Sequence, residues 1–68
     1  MNEDTLNMSL RKFLKKVGVT SQREIETAIA AASIQGKIKD KSTISATMIL
    51  TIPELDLVHE IQDTIHLN

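Results

Sequence analysis

The hydrophobic period changes partway along this chain, and that change limits its fold more than any other feature. Up to about Lys41 apolar residues recur at helical spacing, and from Ile44 they alternate. Leu6, Leu10, Phe13, Leu14 and Val17 stand at i, i+4, i+7, i+8 and i+11, which gathers them on one helix face. Ile25, Ala28, Ile29 and Ala32 do the same over a second stretch, about Gln22 to Gln35, with Gly36 as its stop. Between the two lies Val17-Gly18-Val19-Thr20-Ser21-Gln22-Arg23-Glu24. Gly18 can take the left-handed conformation that ends a helix at little cost, and Ser21 with Glu24 three residues on is the capping-box pattern that opens another. The spacing therefore predicts a helical hairpin over about 3–35. Glu3 and Asp4 would open its first helix and Lys15 and Lys16 would close it, each suited to the helix dipole.

The second half reads as extended. A polar, lysine-bearing connection over 36–43 leads into strands rich in Ile, Thr, Leu and Val. Pro53-Glu54 predicts a turn, since proline presets φ and cannot donate to a ladder. Gln62-Asp63 offers a second turn, without the glycine that tight hairpins prefer. One turn gives a β-hairpin, and both give a three-stranded meander over about 44–52, 55–61 and 64–67. In the meander Ile44, Ala46, Met48, Leu50, Ile52, Leu55, Leu57 and Ile61 share an inner face. Ile49, Val58, Ile65 and Leu67 then join Thr47, Thr51, Asp56 and Glu60 on the other. A rival reading makes Pro53 the first residue of a third helix through Ile65, because Leu57, Ile61 and Ile65 also repeat at helical spacing. Threonine and β-branched content favours strands. The expectation is an α+β fold in a single domain, residues 1–68, with the helical hairpin packed on a small antiparallel β-hairpin or meander over about 44–67.

A chain of 68 residues buries only about 60% of the surface that it exposes when unfolded. It has no cysteine, which removes disulfides and thiolate zinc sites. Phe13 is its one aromatic residue, so Phe13 is expected to be the largest piece of the core, and base stacking on aromatic side chains is disfavoured. No apolar run approaches the roughly 18 residues of a membrane span, and Met1-Asn2-Glu3-Asp4 is acidic, unlike the start of a signal peptide. A soluble cytoplasmic protein with no membrane association is the default.

The net charge of -1 conceals a division. Residues 1–41 carry all 8 basic side chains against 5 acidic ones, +3, whereas 42–68 carry 4 acidic and no basic ones, -4. Arg11, Lys12, Lys15 and Lys16 cluster opposite the apolar stripe of the first helix, and Arg23 follows the glycine. These five are the candidate anion or nucleic-acid contacts. In outline a helix, short turn and helix resemble a helix-turn-helix motif, with Ser21, Gln22, Arg23 and Glu26 where a recognition helix reads bases. Glu24 occupies a position that the motif keeps apolar. The bland alternative is a solvated basic face that complements the acidic half.

Catalytic patterns are absent. His59-Glu60 begins like a metalloprotease helix motif, but the residue four beyond His59 is Asp63. A turn at Gln62-Asp63 would make His59 and His66 cross-strand partners, two metal ligands without a third. No serine sits in a glycine-flanked elbow, Gly18 and Gly36 are too far apart for a phosphate loop, and Glu54 and Asp56 lie at a solvated turn. The expectation is no enzyme, no cofactor and no metal.

The run Met-Ser-Leu-Arg-Lys-Phe-Leu-Lys-Lys-Val-Gly-Val-Thr-Ser-Gln-Arg-Glu-Ile-Glu at 8–26, followed by Leu-Thr-Ile-Pro-Glu-Leu-Asp-Leu at 50–57, resembles a family of short uncharacterised bacterial proteins over nearly the whole chain. The resemblance implies a two-helix and β-hairpin or meander domain with no assigned activity, and with glycine in the hairpin turns where this chain has Glu54 and Asp63. Function is then expected to be binding or assembly without catalysis, through an unknown protein partner or a weak homodimer. Ile49, Val58, Ile65 and Leu67 are the candidate self-association residues, and nucleic-acid binding by the basic half is the alternative.

Overall fold

A computed structural model describes residues 1–68 as one long helix followed by a two-stranded antiparallel sheet. The chain falls into two compact units, Met1–Ile38 and Lys39–Asn68.

The first unit is the helix α1, Glu3–Ile34, 32 residues and about 48 Å long at 1.5 Å per residue. Asn2 caps it from an extended backbone: its Oδ1 accepts from the Asp4 N–H at 3.0 Å and the Thr5 N–H at 3.1 Å. That satisfies two of the donors that every helix start leaves free. Glu3 and Asp4 lie in the first turn, at the positive end of the dipole. At the other end Gly36 has φ +73°. The Lys37 N–H reaches the Ala32 carbonyl at 3.0 Å, and the Gly36 N–H reaches that of Ser33 at 3.1 Å. This pair of bonds is the Schellman closure, and it requires a left-handed residue at Gly36.

The helical hairpin is therefore corrected to a single rod. Gly18 lies inside α1, and the only glycine with positive φ is Gly36. Glycine permits a stop without imposing one. Its penalty inside a helix is about 1 kcal/mol, whereas ending one helix and nucleating another gives up a turn of backbone bonds and repeats an unfavourable nucleation step. Ser21 accordingly stands inside the helix rather than as a cap, and Lys15 and Lys16 are mid-helix, away from the dipole's negative end.

The second unit is a hairpin of β1, Thr43–Ile52, and β2, Leu57–His66. A short 3-10 turn, Pro53–Leu55, joins them, so the third-helix reading gives way to strand pairing. Asp56 completes the loop at φ 50°, with its N–H on the Pro53 carbonyl at 3.1 Å. Asp is among the few residues besides glycine that enter this region readily, which explains how the turn closes without glycine.

No turn forms at Gln62-Asp63; β2 runs straight through it, so the meander is replaced by the hairpin. Extending the ladder from Ile61↔Met48 to His66↔Thr43 pairs a Thr, Ile and His run that favours strand, and the pairing continues as the Leu67 N–H donates to the Ser42 carbonyl at 2.8 Å. Opposed residues in an antiparallel pair point to the same side. One face therefore holds Ile44, Ala46, Met48, Leu50 and Ile52 with Leu57, His59, Ile61, Asp63 and Ile65; the other holds Thr43, Ser45, Thr47, Ile49 and Thr51 with Val58, Glu60, Gln62, Thr64 and His66.

Neither unit contains a buried residue. Phe13, expected at the centre of a core, is 50% exposed, and Met48 and Ile61 on the apolar sheet face are 43% and 53% exposed. A lone helix and a two-stranded hairpin each have apolar faces but no second layer of their own to cover them.

The continuous helix has a direct consequence for Gly18. A Cβ built there meets nothing within 4 Å, so Gly18→Ala should raise helix stability by about 0.5–1 kcal/mol. Gly36→Ala, equally free of clashes, should lower it by about 1–2 kcal/mol because of its left-handed φ. Thermal melts followed by circular dichroism read both; destabilisation by Gly18→Ala would restore the helical hairpin.

Candidate functional site

Three surfaces present themselves: the basic side of α1, its apolar stripe, and the apolar face of the sheet. At 100° per residue Arg11, Lys12, Lys15, Lys16 and Arg23 fall within an arc of about 140°, opposite the stripe. All five are exposed. Because α1 is unbroken, Arg23 continues the same side of the same rod instead of starting a second helix. None of the first four has an acidic residue three or four positions away, the spacing at which a helix pairs charges, whereas Arg23 has Glu26 at i+3. The four also repel one another at i, i+4 through Arg11 with Lys15 and Lys12 with Lys16. An anionic surface laid along this side would relieve that repulsion. The helix-turn-helix outline is corrected by the same continuity: Ser21, Gln22, Arg23 and Glu26 spread around one helix without a turn before them. Val19, Gln22, Arg23, Glu26 and Thr27 border a shallow depression that is open to solvent.

The sheet does not bring together the four residues considered for self-association. Ile49 and Val58 lie on the threonine-rich face, opposite Glu60 and Thr51, while Ile65 pairs with Ile44 on the apolar one. Leu67 lies just past the strand, half-buried. Shifting from two turns to one reverses the parity of every residue after 62, because side chains alternate with period two. The same parity separates the histidines. His59 faces Leu50 on the apolar side and His66 faces Thr43 on the other, so they are not a cross-strand pair. No group of three His, Asp or Glu side chains converges anywhere in the chain.

Sequence reasoning named every apolar member of the sheet's apolar face except Ile65, which it put on the other side, and added Leu55, which lies in the turn. Seven of the face's ten positions, counted over both strands, carry Ile, Met or Leu. The signal lay in the odd-numbered run Leu57, Ile61, Ile65, legible only if no turn interrupts it. Two polar residues, His59 and Asp63, sit within that face. Asp63 stands opposite Ala46, and its Oδ1 accepts from the Thr64 N–H at 2.7 Å. Thr64 belongs to a pair that exchanges no ladder bonds, so its N–H points to the sheet edge, and the carboxylate occupies it there. On the opposite face the Gln62 amide donates to Thr47 Oγ1 across the strands at 3.5 Å.

A long capped helix joined to a two-stranded hairpin places the chain among small α+β proteins. It matches a family of unknown function, DUF6494, over residues 1–68, and belongs to that family. No curated protein and no solved structure matches it. No helix is long and apolar enough to cross a membrane.

An apolar face this open should report itself to a hydrophobic dye. The purified chain should enhance the fluorescence of an anilinonaphthalene sulfonate, and Met48→Lys with Ile61→Lys should remove about half of the gain or more. Thr47→Lys, on the other face, should leave it unchanged; equal loss from both would refute the face assignment.

Proposed function

We propose that this chain is a non-catalytic assembly module of the bacterial cytoplasm, whose apolar surfaces are completed by another protein chain. The observation that supports this reading is the pairing of two continuous apolar faces with the absence of any buried residue. Leaving side chains such as Leu10, Phe13, Met48 and Ile61 wet forgoes on the order of 1.5–3 kcal/mol each for full burial. A partner that covers several of them contributes what a self-contained core would.

Photo-crosslinking in native cells tests this without presuming the partner. A photoreactive residue at Met48 or Ile61 should give protein adducts in good yield, and one at Thr47 or Gln62 should give few. Adducts that are absent from all four positions, or equal at all four, would overturn the reading.

A second reading has its own support in the four unpaired bases on one side of α1. In it the helix lies along a nucleic-acid backbone, held by phosphate contacts. Each phosphate neutralised on duplex DNA lowers log K by about 0.9 per decade of salt, so four contacts give a slope of about -3.6. Lys12→Glu with Lys16→Glu should abolish binding at low salt. A chain that binds no duplex in 20 mM salt, about the weakest screening practicable, removes this alternative.

A further inference from the structure

We draw no further inference here: the strongest candidate, the open edge of β1, where Thr43, Ser45, Thr47, Ile49 and Thr51 turn their backbone N–H and C=O groups away from β2, carries nothing because nothing in the structure shows which strand would pair with it.

Discussion

The unbroken backbone ladder of α1 through Gly18 is the constraint on which the rest depends. Had the chain stopped there, two short helices would have faced each other, with Leu10 and Phe13 against Ile25 and Ala28 in an intramolecular core. With the ladder continuous, those residues share one side of one rod and have no intramolecular helix to meet. The same step aligns Arg23 with the four earlier bases and separates it from any turn. It also removes the logic of Ser21 as a cap. A cost of about 1 kcal/mol for an interior glycine is small beside the hydrogen bonds and nucleation at stake, and the helix carries strong caps at both of its true ends.

The β unit shows a comparable dependence on one junction. A second turn at Gln62-Asp63 would have shortened the strands and mixed apolar side chains onto both faces. Continuing the strand collects Ile44, Ile65, Met48 and Ile61 on a single face and leaves the other mostly threonine, glutamine and glutamate. Asp56 lets the hairpin turn without glycine, and Asp63 occupies an edge N–H that a bare strand would leave open. Both acids serve backbone geometry.

Two amphipathic units without a buried residue are an unusual state for a chain that keeps such regular apolar patterns. Small size limits the core that 68 residues can build, and the absence of cysteine removes the common covalent substitute. Each unit has an apolar side that it cannot cover from within itself. The basic side of α1 lies opposite its apolar stripe.

The sequence by itself determined the α+β class, the change of period near residue 42, the Gly36 stop, the turn at Pro53 and the family resemblance. Each is a local property: a period, a cap, a fixed φ. The strand alternation and the basic cluster were legible for the same reason. Only the three-dimensional structure decided whether Gly18 and Gln62-Asp63 end an element or lie within one, because both segments are compatible with either backbone. The choice belongs to the whole ladder of hydrogen bonds on each side rather than to the residues at the junction. It therefore moved Phe13 out of an expected core, parted His59 from His66, and divided Ile49 and Val58 from Ile65.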